Sequence, residues 1–235
     1  MTYQFLLFDL DHTLLDFDKA EDMALTALLK ECKVTDVQAY KDYYSPMNKA
    51  MWRGLELKLL SKKELVNTRF TKLFEHFGHT VDGVYLAERY QAHLKNQGQS
   101  YPGAKALLET LKAAGFAIYA ATNGLSQVQT SRLEKSGLAV FFEKVFVSES
   151  SGSQKPDKAF YDWIGDQIPN FNPAEALMIG DSLTADIQGG INAGIDTVWY
   201  NPKCLDNQSS VHPTYQVSHY QELLAILHLD ETSFF

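Results

Sequence analysis

Cysteine is scarce: the 235-residue chain holds two, Cys32 and Cys204, far apart and in no C-x-x-C pair. A disulfide framework or a zinc site is therefore not expected, and two reduced thiols suit a cytoplasmic chain. Long apolar runs are missing as well. None approaches the roughly 18–20 residues that a membrane span needs. The first apolar run, Tyr3–Phe8, has no basic stretch before it and is cut by Asp9 and Asp11, unlike a signal peptide. Net positive charge is also lacking. At −8 the chain has no excess of basic residues from which to build a face for a nucleic acid polymer, although a bound cation would let an acidic protein hold a phosphorylated ligand. Repeats and low-complexity tracts are absent. These absences leave a cytoplasmic protein, monomer or homodimer, whose partner is a small molecule rather than a nucleic acid polymer or a membrane.

What is present is an ordinary globular composition, 45% apolar and 21% charged, over a length that fits one large domain or two unequal ones. Tyr3–Phe8 (YQFLLF) reads as a strand buried on both faces of a parallel sheet. Residues 16–97 then read as helical throughout, with one proline. Helices are expected over Asp22–Lys33, Val37–Leu60 with a break near Pro46, Ser61–Phe77 and Gly83–Lys95. Ser61 followed by Glu64 makes a capping box for the third. From Pro102 the texture alternates. Helices are expected over Ala104–Ala114, Ser126–Ser136, Lys158–Gln167, Thr184–Ala193 and Tyr220–Leu227. Strands are expected over Phe116–Ala121, Lys144–Val147, Ala176–Ile179 and Thr197–Tyr200, and Ser148–Gln154 reads as a polar loop. Alternating β and α units imply a parallel sheet with helices on both faces. The expected fold is an α/β core of residues 1–15 and 98–235, interrupted after its first strand by an all-helical cap of residues 16–97.

Open parallel sheets bind ligands beyond the carboxyl ends of their strands. The polar residues at those ends are Asp9 and Asp11, Thr122 and Asn123, and Asp181, with Lys155 and Asp186 in adjoining positions. The i, i+2 spacing puts Asp9 and Asp11 on one side of an extended backbone, where two carboxylates repel each other unless a cation or proton intervenes. With Asp181 and Asp186 added, four acids at one sheet edge suit a hard cation, and Mg²⁺ fits oxygen ligands best; each acid taken singly also reads as a helix cap. Thr122-Asn123-Gly124 reads either as a phosphate cradle or as a strand-to-helix turn. Lys155 reads either as a charge partner for Asp9 and a phosphate or as a solvated surface residue. Gly189, Gly190 and Gly194 read as helix packing and a helix stop rather than as a phosphate loop.

Asp9-Leu10-Asp11-His12-Thr13-Leu14, Thr122-Asn123-Gly124, Lys155-Pro156-Asp157 and Gly180-Asp181 with Asp186 occur in the order found in the haloacid dehalogenase superfamily of phosphohydrolases. The chain resembles that superfamily over its whole length. The resemblance implies a Rossmann-like core with a helical cap inserted after the first motif. It implies that Asp9 attacks phosphorus, that Asp11 protonates the leaving oxygen and then activates water, that Thr122 binds the phosphoryl group, and that Lys155 steadies it and Asp9. It implies Mg²⁺ on the Asp9 carboxylate, the Asp11 backbone carbonyl and Asp181, with Asp186 behind them through water. The superfamily's dehalogenases lack an equivalent of Asp11, so its presence points to phosphate. His12 departs from the pattern, since many relatives carry glycine there.

Leu15-Asp16-Phe17, Asn48-Lys49-Ala50-Met51-Trp52 and Gly189–Gly194 make the chain most similar, within the superfamily, to pyrimidine 5′-nucleotidases. That likeness implies a nucleoside monophosphate as substrate. Trp52 or Phe17 would stack on the base, and Asn48 or Lys49 would bond its edge or the phosphate; packing inside the cap is the other reading of Trp52. The alternative functions are a sugar-phosphate or phosphoglycolate phosphatase, a phosphosugar mutase, and a non-catalytic binding protein on the same fold.

Overall fold

The structure, a computed structural model, describes residues 3–229; the C-terminal residues Asp230–Phe235, for which the sequence suggests no role, lie outside them. Helices and strands, in chain order, are β1 (Phe5–Phe8), α1 (Phe17–Glu31), α2 (Val37–Glu56), α3 (Lys62–His76), α4 (Gly83–Leu94), α5 (Ala104–Ala113), β2 (Ala117–Thr122), α6 (Ser126–Ser136), β3 (Lys144–Val147), α7 (Ser148–Ser151), α8 (Lys158–Gly165), β4 (Ala176–Gly180), α9 (Gln188–Ala193), β5 (Asp196–Tyr200), β6 (Tyr215–Val217) and α10 (Tyr220–Ile226). They form two compact units, Met1–Phe17 with Gly98–Phe235, and Asp18–Gln97.

The first unit is built on a parallel sheet in the order β3-β2-β1-β4-β5-β6. β1 sits inside it, and its four residues are all buried. Successive side chains point to opposite faces. Leu6 and Phe8 therefore join Ile118, Leu177 and Val198 under α5 and α10, while Phe5 and Leu7 join Tyr119, Phe146 and Met178 under α8. Burial on both faces is why the strands read as unbroken apolar runs. Phe8 lies level with Ala120 of β2 and Ile179 of β4, so the residues that follow all three strands emerge at one edge. The chain winds to one side of β1 through β2 and β3 and to the other through β4, β5 and β6. The crevice at that reversal, between β1 and β4, is where such sheets bind ligands. On the face under α8, Gly189 of α9 approaches so closely that an added Cβ would lie 2.6 Å from the Tyr161 hydroxyl.

The second unit comprises α2–α4 and all of α1 but its first residue. α2, α3 and α4 start at side-chain caps: Asp36 accepts from the N–H of Ala39, Ser61 from that of Glu64 and Asp82 from that of Tyr85. Each such cap stabilises by about 1 kcal/mol. Its core is aromatic. Tyr44 stacks on Phe70 at 5.5 Å, Tyr40 on Phe77 at 3.9 Å, and Phe70 lies 5.2 Å from Tyr90.

Three expectations need correction, and one strand was not expected. α2 runs through Pro46 without a break; Pro46 is exposed, so the carbonyl it deprives of a partner faces water rather than the core. The first four residues of the expected loop Ser148–Gln154 close into α7. The expected helix Thr184–Ala193 begins with a wider π-type turn over Leu183–Ile187 before α9. β6, three residues with one buried, was too short and polar to be read as a strand, and its position at the sheet edge is what permits that composition.

Candidate active site

Asp9 follows β1 directly, and its N–H donates to the Ile179 carbonyl at 2.8 Å, extending the register with β4. The residue is 7% exposed. Its Oδ1 accepts from Lys155 Nζ at 2.6 Å, and the same ammonium donates to the Ala121 carbonyl and to Asp186 Oδ1, both at 2.7 Å. All three ammonium protons are thus matched to acceptors. Lys155 is held there by its backbone. Its N–H donates to Asn123 Oδ1 and its carbonyl accepts from Asn123 Nδ2, each at 2.9 Å. The Asn123 side chain is therefore committed to the loop before α8, so a phosphate role for this residue falls to its backbone. The Lys155–Pro156 peptide is cis.

Asp186 sits in the π-type turn, almost fully buried. Its second oxygen accepts from the Ser182 N–H at 3.0 Å. It lies against β4 so tightly that a Cβ on Gly180 would fall 2.2 Å from Asp186 Oδ2; glycine is required at that strand end. The carbonyl of the next residue, Asp181, accepts from the Trp199 indole at 2.8 Å. Carboxylate oxygens of Asp9, Asp181 and Asp186 lie within 4.8 Å of one another.

This crowding moves their protonation. Burial, with the charges of Asp186 and Asp11, pushes Asp9 up to about 7 against the pull of Lys155. Burial and the charges of Asp186 and Asp9 hold Asp181 well above the usual carboxylate range. Burial pulls Lys155 down, but Asp186 and Asp9 outweigh it and leave the ammonium firmly charged. Three acids against one ammonium leave two negative charges in a buried site when all are ionised.

The Asp11 carboxylate stands outside that trio. Strand geometry ends at Phe8, so the two aspartates join different networks. One Asp11 oxygen pairs with Arg132, and the other accepts from Gln129 Nε2 at 2.9 Å. Gln129 Nε2 also reaches Thr122 Oγ1 at 2.9 Å, and the Thr122 hydroxyl accepts from the Gly124 N–H at 3.3 Å. The guanidinium of Arg132 lies over the Phe17 ring at 5.3 Å, and His12 meets that ring edge-on at 5.5 Å. His12 has φ +61°, a left-handed conformation that glycine adopts more readily.

Gln129 and Arg132 were not singled out from the sequence. The signal was present: α6 buries Val128, Gln129, Arg132 and Leu133 on one face, so two polar residues occupy core positions of an amphipathic helix. On the helical unit, Asn48 is buried and donates to Glu21 Oε1 at 2.9 Å, Lys49 is exposed and Trp52 half-buried. Arg69, also buried, packs over Tyr90 at 4.8 Å.

The profile of the haloacid dehalogenase-like hydrolases matches residues 6–200. The chain is 61% identical to pyrimidine 5′-nucleotidase PynA of Streptococcus pneumoniae, over 97% of this chain and 96% of that protein. It is 31% identical to pyrimidine 5′-nucleotidase YjjG of Escherichia coli, over 97% and 99%. The crystal structure of YfnB from Bacillus subtilis, bound to magnesium, superposes with a TM-score of 0.92 at 40% identity, covering 97% of this chain and 99% of that one. A six-stranded parallel sheet with a helical insertion after β1, the acidic trio beyond its strands and a family match spanning most of the sequence agree, and the chain belongs to the haloacid dehalogenase-like hydrolases.

Proposed function

We propose that the protein is a magnesium-dependent pyrimidine 5′-nucleotidase that works through a phosphoryl group carried on Asp9. The observation that carries this reading is the division of the acids into two networks. Asp9 lies with Lys155, Asp181 and Asp186, and Asp11 is held apart by Gln129 and Arg132. A nucleophile and a proton carrier need that separation, because each acts on a different oxygen of the phosphoryl centre.

The residues present fit a cation. The excess of two negative charges and the all-oxygen donor set match Mg²⁺. Asp9, Asp181 and the Asp11 backbone carbonyl would hold it, with Asp186 behind them through water. Its charge would keep Asp9 ionised and offset the phosphoryl oxygens.

An Asp9 oxygen attacks phosphorus as the bond to the leaving oxygen breaks, and Asp11 gives its proton to that oxygen. Water then attacks the aspartyl-phosphate, returns a proton to Asp11 and frees Asp9. Thr122 orients a phosphoryl oxygen through its hydroxyl, and Lys155 fixes Asp9 and neutralises the site. On the helical unit we assign base recognition to Asn48, whose Oδ1 is buried with no hydrogen-bond partner among the described residues, with Lys49 and Trp52 beside it in sequence. Phe17, whose ring is engaged by Arg132 and His12, supports Asp11 in this scheme rather than stacking on a base.

Phosphate release from a substrate panel with Mg²⁺ tests the reading. Pyrimidine nucleoside monophosphates should have the highest kcat/KM. Sugar phosphates or phosphoglycolate ranking above them would replace it with the sugar-phosphatase alternative.

A further inference from the structure

We infer that Gln129 and Arg132 are positioning residues for proton transfer by Asp11. They lie one turn apart on α6, 1% and 0% exposed. Each supplies a donor to a different Asp11 oxygen, so the carboxyl is fixed against rotation about its own axis. The two donors are themselves braced. Arg132 reaches Gln129 Oε1 at 3.3 Å and packs on the Phe17 ring, while the Gln129 amide also grips Thr122 Oγ1. One amide thus sets the spacing between the proton carrier and the phosphate-binding hydroxyl. Two sealed side chains here support a carboxyl whose own side chain stays 25% exposed. Presenting an accessible group from a rigid buried bracket is the arrangement of a preorganised site.

The chemical consequence depends on the leaving group. When Asp9 displaces an alkoxide, the electron pair of the breaking P–O bond stays on the leaving oxygen, which must take the Asp11 proton. p-Nitrophenolate leaves without one. Misplacing Asp11 should therefore slow alkyl phosphates far more than aryl phosphates. The inference rests on the reading of Asp11 as proton carrier, and that reading has its own check: an Asp11→Asn variant that keeps the wild-type ratio of alkyl to aryl kcat/KM would refute it whatever Gln129 and Arg132 do.

The test compares kcat/KM for a nucleoside 5′-monophosphate, or glycerol phosphate, with that for p-nitrophenyl phosphate in Gln129→Met, Arg132→Met and Arg132→Lys. The alkyl-to-aryl ratio should fall about 10- to 100-fold in the two Met variants, within the range of general acid catalysis, and Arg132→Lys should recover part of it. In an Asp11→Asn background the same substitutions should leave the ratio unchanged. A parallel loss on both substrates, an unchanged ratio, or an equal fall in the Asp11→Asn background would overturn the inference. If Arg132→Met does not fold, Gln129→Met and Arg132→Lys decide by the same criteria.

Discussion

Lys155 puts a single ammonium among Asp9, Asp186 and the Ala121 carbonyl. Removing one partner of a buried ion pair leaves the other charge uncompensated and costs about 3–5 kcal/mol. Lys155→Met should lose stability on that scale in urea unfolding with a chelator present, and Mg²⁺ should restore part of it, since a cation answers the same carboxylates. An equal deficit with and without Mg²⁺ would contradict this, because it would mean that removing the ammonium leaves the cation's affinity unchanged. At this scale the residues at strand ends were readable from sequence, because a strand that stops at an aspartate, threonine or glycine announces its carboxyl end. Gln129 and Arg132 were not, since their meaning lies in a contact across more than a hundred residues with Asp11. The grouping was also unreadable: spacing put Asp9 and Asp11 side by side, and the turn after Phe8 sends them to different partners.

Among the elements, α1, α2 and α3 combine on a polar cluster inside an aromatic core. Burial pushes Glu21 up to about 7, against the pull of Arg69 and the Asn48 hydrogen bond. A carboxyl that binds its proton more tightly folded than unfolded favours folding less as the pH rises through the window between its two values. That window runs from the ordinary 4.5 to about 7. Glu21→Gln should therefore gain stability over the wild type between pH 5 and pH 8, by about 1–3 kcal/mol. The difference in denaturation midpoint between the two proteins reads this directly; a constant difference across that range would mean that Glu21 is ionised throughout. Asp36→Ala should cost about 1 kcal/mol by removing the α2 cap, seen as a lower denaturant midpoint. The helices here were legible from apolar spacing and caps. The passage of α2 through Pro46 was not, because it depends on which side of the helix meets solvent.

For the whole molecule, the order β3-β2-β1-β4-β5-β6 brings segments from residue 9 to residue 186 to one sheet edge, where Asp9, Asp181 and Asp186 converge. The alternation of strands and helices made that architecture readable, while β6 escaped because an edge strand needs little apolar sequence. The account's central claim is that Asp9 carries the phosphoryl group. Acid quenching during turnover of a radiolabelled pyrimidine nucleoside monophosphate, with the label on the phosphate, should trap it on the peptide containing Asp9. Chelation of Mg²⁺ or Asp9→Asn should abolish the label. Full turnover by Asp9→Asn, or label on another residue, would contradict the account.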